Sequence, residues 1–129
     1  MNKRPLQIFS GLLGIVPVAS GLVQLMGIHD PLYAGLHLPA DATLDSNMRF
    51  LAGVWLGLGL ANLWLVPRIE RETVLFRALW LMIFLGGIGR LLSMTSTGLP
   101  LLPFVGFTVL EIVGAPIFVF WQSKVAQNS

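Results

Sequence analysis

The chain has 129 residues, of which 55% are hydrophobic and 11% charged. This is room for one domain, with too little charge to coat a soluble one of this size. The mean hydropathy is +0.80, the net charge +2 and the pI near 9.7; because the basic residues flank apolar runs, they read as membrane topology signals and not as a nucleic-acid surface. With no cysteine, disulfides, thiolate metal sites and thiol redox chemistry are excluded.

Four apolar stretches follow in chain order, at about 6–26, 47–66, 73–95 and 99–121. Each is close to the roughly 20 residues that cross a hydrocarbon core. No alternation of period two is sustained, so a transmembrane barrel is not expected. The expected fold is all-α, a four-helix transmembrane bundle forming a single integral membrane domain over 1–129.

Lys3 and Arg4 precede the first stretch, and Val18-Ala19-Ser20 resembles a signal-peptide cleavage site. The apolar character continues through Gly21, Leu22, Val23, Leu25 and Met26, which favours a retained helix. The connection 27–46 carries Asp30, Asp41 and Asp45 and no Lys or Arg. Its Pro31–Pro39 segment is expected to form a short turn lying in the interface. Asp45 or Ser46 is the expected N-cap of the second span. In that span Gly53, Gly57 and Ala61 recur every four residues, a small face for close helix approach. Gly86, Gly87 and Gly89 do the same for the third. Pro17 and Pro116 are expected kink positions in the first and last.

Lys3, Arg4, Arg68, Arg71, Arg77 and Lys124 all fall on one side of the membrane if every stretch crosses it. The positive-inside rule then places both termini in the cytoplasm. Trp64, Trp80 and Trp121 lie nearer that side and read as an aromatic belt.

Three charged residues lie inside the spans: Arg49, Arg90 and Glu111. Such a residue costs roughly 2.5–3.5 kcal/mol near a helix centre, faces the bundle interior and finds partners. At about 1.5 Å of rise per residue, Glu111 lies roughly 18 Å and Arg90 roughly 9 Å from the outer ends of their helices. Side chains lean toward the N-terminus of their own helix, so Glu111 and Arg90 lean toward each other. Arg49 leans outward, where Asp45 or lipid headgroups can meet it. Arg49, Arg90 and Glu111 are therefore the candidate ligand-binding residues of one outward-facing polar pocket; an ion pair that fixes helix register is the structural alternative. His29 and His37 with Asp30 and Asp41 match no metal-ligand spacing. Ser10, Ser20 and Ser93 show no base partner, and no phosphate-cradling Gly-rich motif is present. No metal or cofactor is expected.

At Asn47-Met48-Arg49, Gly53-Val54-Trp55-Leu56-Gly57-Leu58-Gly59, Gly89-Arg90-Leu91-Leu92-Ser93, Gly98-Leu99-Pro100 and Leu110-Glu111, the chain resembles the bacterial family catalogued as domain of unknown function 4345. That family is related to the DoxX-like group of small four-helix membrane proteins. The resemblance covers nearly the whole chain and implies a four-helix bundle in the bacterial inner membrane. The family pattern falls on Arg49, Arg90 and Glu111. It supplies no activity, but DoxX-like relatives include accessory subunits and assembly helpers. The expectation is a non-enzymatic accessory or ligand-binding protein whose partners are membrane lipid, an amphipathic small ligand or another membrane protein, with a homo-oligomer possible and no nucleic acid. The alternatives are an enzyme or redox subunit acting on a quinone-like or lipid substrate, with Glu111 as proton relay, and a small oligomeric transporter.

Overall fold

A computed structural model describes residues 1–129. The chain is all-helical. Its helices are α1 (Arg4–Gln24), α2 (Ala42–Leu65), α3 (Thr73–Thr97), α4 (Leu102–Val109) and α5 (Ala115–Gln127), and the turn Leu110–Gly114 joins α4 to α5. Counted with their continuations, four helical stretches of 21, 27, 25 and 26 residues are long and apolar enough to cross a membrane. At about 1.5 Å per residue they measure roughly 31 to 40 Å, against a hydrocarbon core of about 30 Å. Large apolar side chains stand exposed along every stretch, among them Leu12, Phe50, Leu85, Leu102 and Phe120. A soluble domain would bury them; here they are the surface offered to lipid.

The chain divides into two compact units, Gln7–Pro67 and Met1–Leu6 with Arg68–Ser129. In the α1–α2 unit, α1 and α2 meet at glycines. A Cβ at Gly59 would come within 2.9 Å of the Pro17 ring and of Val18, and one at Gly21 within 3.0 Å of the Leu56 backbone. Lipid provides little hydrophobic drive for helix association, so this close approach and the polar bonds beside it hold the pair together. Asn62 Nδ2 donates to the Ser10 carbonyl at 2.7 Å, Trp55 Nε1 to Ser20 Oγ at 2.9 Å and Gln7 Nε2 to the Val66 carbonyl at 3.0 Å. The packing face differs from the one the four-residue repeat predicts, because Gly53 and Gly57 have no atom near a built Cβ. Gly59 lies about 200° around the helix from Gly57, on the face that α1 occupies.

Between these helices the chain makes two short 3₁₀ turns, Gly27–His29 and Pro31–Tyr33. Asp30 is buried and caps the second turn, its Oδ1 accepting from Leu32 N at 2.9 Å. The N-cap of α2 is Asp41, which accepts from Leu44 N at 2.8 Å. The helix thus starts a turn earlier than the hydrophobic pattern predicts, and Asp45 falls within it.

In the α3–α5 unit, Trp80 stacks on Phe118 with centroids 4.6 Å apart, and Phe76 is fully buried beside them. Trp80 is thus a packing residue and not part of an interfacial belt. Buried Gln122 joins α5 to the start of α3, its Nε2 donating to the Ile69 carbonyl and to Thr73 Oγ1, both at 2.9 Å. Outside the spans, Lys3 Nζ donates to Glu70 Oε1 at 2.7 Å. That bond, more than any other influence, holds the Glu70 carboxyl below its usual range.

The last span is not a uniform α-helix. Leu110–Gly114 is wound as a π-turn. Pro116 explains it: a proline has no N–H to give the carbonyl four residues back, here that of Ile112, and its ring crowds that carbonyl. Widening the preceding turn relieves the crowding.

Candidate functional site

The π-turn places Glu111. Its side chain is 11% exposed, and the partner Arg90, on α3, is 39% exposed. Arg90 Nε donates to both carboxylate oxygens, at 3.2 Å to Oε1 and 3.1 Å to Oε2. The guanidinium carbon lies 5.4 Å from the centroid of the Phe104 ring, which adds a cation–π contact. The pairing of Arg90 with Glu111 follows the opposed leans read from the sequence.

Gly87 makes the approach possible. A Cβ there would stand 2.8 Å from Glu111 Cβ and 2.9 Å from Ile112 Cγ1. Of the three glycines of α3, only this one is packed; Gly86 and Gly89 have nothing within 4 Å. Gly87 lies three residues before Arg90, on the same side of α3. Thr108, one turn before Glu111 and buried, turns its hydroxyl back onto the Phe104 carbonyl of its own helix at 2.8 Å.

The geometry decides what the pair can do. An arginine has five N–H donors in a fixed fork. The usual carboxylate pairing uses two nitrogens in parallel. Arg90 spends Nε alone on Glu111, so Nη1 and Nη2 donate to no group of the protein. Those two nitrogens form a forked donor matched to a carboxylate, a phosphate or another oxygen-rich head, set against an aromatic face.

Arg49 belongs to the α1–α2 unit and is held there by different means. Its Nε donates to Asp45 Oδ2 at 2.7 Å, Nη1 to the Leu25 carbonyl at 2.8 Å and Nη2 to the Met26 carbonyl at 3.3 Å. These carbonyls follow the last turn of α1, where a cation is favoured by the helix dipole and by carbonyls without intrahelical donors. The other oxygen of Asp45 accepts from Ile28 N at 3.0 Å. Gly27 sits in the middle of this knot with φ +62°, and a Cβ there would collide with Asp45 Oδ1. Arg49 and Asp45 therefore form a latch that ties the chain leaving α1 to the first turns of α2. Asp45 is not the helix cap because both of its oxygens are taken by this latch.

Sequence reasoning missed Gly27 and the π-turn, and it grouped Gly87 with Gly86 and Gly89 without singling it out as the contact to Glu111. A signal existed for each: a glycine directly after an apolar run, a glycine one turn from a charged residue, and a proline five residues after a carboxylate. His29 and His37, in the connecting segment, are both exposed.

The family model described as Domain of unknown function (DUF4345) matches residues 5–122. Comparison with curated proteins and with solved structures gives no match.

Proposed function

We propose, from the premise that this chain belongs to the DUF4345 family, that it is a non-enzymatic accessory protein of the bacterial inner membrane that binds an amphipathic ligand. Both termini lie in the cytoplasm in this reading. The ligand has an anionic or strongly hydrogen-bond-accepting head, received by Nη1 and Nη2 of Arg90, and an apolar tail against the exposed side chains of the α3–α5 unit. Glu111 orients the guanidinium and accepts from any hydroxyl on the head. Arg49 contributes to the fold through its latch and meets a headgroup only with the N–H groups the latch leaves over.

One observation carries this reading: the two terminal nitrogens of Arg90 have no protein acceptor inside a helix of membrane-spanning length. Charged donors in hydrocarbon are costly when unpaired, so they are expected to meet water or the head of a ligand. The test uses protein stripped of lipid in a maltoside detergent. Dodecyl phosphate and dodecanoate are expected to raise Tm, dodecanol much less, and Arg90→Gln to abolish the difference. Equal responses to all three amphiphiles, or an unchanged preference in Arg90→Gln, would overturn the proposal. A quinone with a short isoprenoid tail is the fourth ligand; stabilisation by quinone alone would instead favour the redox-subunit reading with Glu111 as proton relay.

A further inference from the structure

One end of the α3–α5 unit gathers cations. Lys3 precedes α1 and Arg4 opens it, Arg68 and Arg71 flank the turn before α3, Arg77 lies in the first turns of α3, and Lys124 lies near the end of α5. The unit's own contacts bring these segments together: Lys3 bonds Glu70, Gln122 bonds Ile69 and Thr73, and Arg77 Nη2 donates to Ser123 Oγ at 3.2 Å. Lys3, Glu70, Arg71 and Asn128 line one open cleft there. Six cations thus stand with two carboxylates, Glu70 and Glu72, and Glu70 is already taken by Lys3. The opposite end of the unit, residues 95–101, holds no charge.

The depths of the cations are as telling as their number. Arg77 lies about 6 Å along α3 from its first residue and Lys124 about 4.5 Å from the last residue of α5, by helix rise. Both therefore stand just inside the ends of membrane-length helices. Each side chain is supported on the protein: Arg77 by Ser123, whose hydroxyl is itself fixed on the Val119 carbonyl at 2.9 Å, and Lys124 by the Phe120 ring, with Nζ 5.3 Å from its centroid. Neither finds a carboxylate. Arg71 is exposed and likewise in no ion pair of the protein. Cations anchored at this level meet the phosphate layer of a bilayer.

We infer that this end of the α3–α5 unit is a binding surface for anionic phospholipid headgroups, with Arg71, Arg77 and Lys124 as its phosphate contacts. The occupant is the phosphodiester of a lipid in the adjoining leaflet. Charge complementarity selects anionic over zwitterionic lipid, and each cation near the surface shifts that selection by about fivefold. This surface is separate in chemistry and position along the helices from the Arg90 fork, and it does not depend on that reading.

The test is lipid selectivity in reconstituted vesicles, with spin-labelled phosphatidylglycerol and phosphatidylcholine as probes of the motionally restricted shell. The wild type is expected to prefer phosphatidylglycerol at low salt, with the preference shrinking in high salt by screening. The triple variant Arg71→Gln, Arg77→Gln, Lys124→Gln is expected to lose the preference. A variant with Arg71→Lys and Arg77→Lys, which keeps the charge, is expected to retain most of it. Equal association of both lipids with the wild type overturns the inference whether or not the triple variant folds, and so does a preference that survives in a folded triple variant. The amphiphile titration reads Arg90 and this test reads Arg71, Arg77 and Lys124, so the two readings fail separately.

Discussion

Two arginines sit inside membrane-length helices, and their surroundings differ. Arg49 spends three nitrogens on the protein: one on Asp45, and two on the carbonyls at the end of α1. Arg90 spends one nitrogen, on Glu111. The first arginine closes a chain connection and the second leaves a fork open beside an aromatic ring. Membrane depth alone groups them together, because an unpaired guanidinium is costly inside any span. What separates them is how many donors the fold has already used, and that is a property of the packed structure.

The comparison is broken most forcefully at the Arg90 pair. Glu111→Gln and Arg90→Gln are each expected to destabilise by about 2–3 kcal/mol, less than for a fully buried pair because Arg90 is partly exposed. The double variant is expected to cost less than the sum, as in any directly coupled pair. Unfolding in mixed micelles measures all three, and strict additivity would show that the two residues act independently.

Gly27→Ala comes next, at about 1–2 kcal/mol for a left-handed backbone position, together with displacement of Asp45. The expected signature is faster proteolysis of the connection 25–41, with no change in the amphiphile response at Arg90. Loss of that response without loss of the connection's protection would mean that the latch residues serve the ligand instead.

Smaller effects distinguish the glycines. Gly59→Ala is expected to lower stability by about 1 kcal/mol, the scale of a modest overpacking cost. Gly57→Ala, in open space, is expected to be neutral or slightly stabilising because alanine is the better helix former. The reverse order in a thermal unfolding series would put α1 on the other face of α2.

The smallest effect is that of Lys3–Glu70. The folded state holds the Glu70 carboxyl below its usual range, chiefly through the Lys3 hydrogen bond. Its stabilising contribution is therefore complete above the ordinary glutamate range and is lost as pH falls through the lowered folded value. Glu70→Gln is expected to flatten that acid limb of the stability profile and to leave the profile above it unchanged.

The four spans and the charged residues were legible in the sequence because both rest on transfer costs that single residues carry. The Arg90–Glu111 pairing was also legible, since the helix directions fix which way each side chain leans. The packing glycines were not. Gly53, Gly57 and Gly59 are alike as residues, and which of them meets α1 depends on the rotation of one helix against the other. The cap was ambiguous for a similar reason. Asp41 and Asp45 stand one turn apart, and the choice falls to Asp41 because Arg49 and Ile28 claim both oxygens of Asp45. Pro116 announced a local disturbance, but whether a helix bends or widens at a proline depends on what packs there. Here Gly87 of α3 leaves the space that the widened turn fills.

The most direct measurement sets the two arginines side by side. Arg49→Lys and Arg90→Lys keep charge and remove the fork, so native mass spectrometry of each, purified in the same mild detergent, reads retained ligand against an unchanged net charge. The expected result is that Arg90→Lys loses the amphipathic ligand that wild-type protein retains, while Arg49→Lys keeps it and shows only a lower Tm. Ligand lost from Arg49→Lys and kept by Arg90→Lys would contradict the assignment of latch and site.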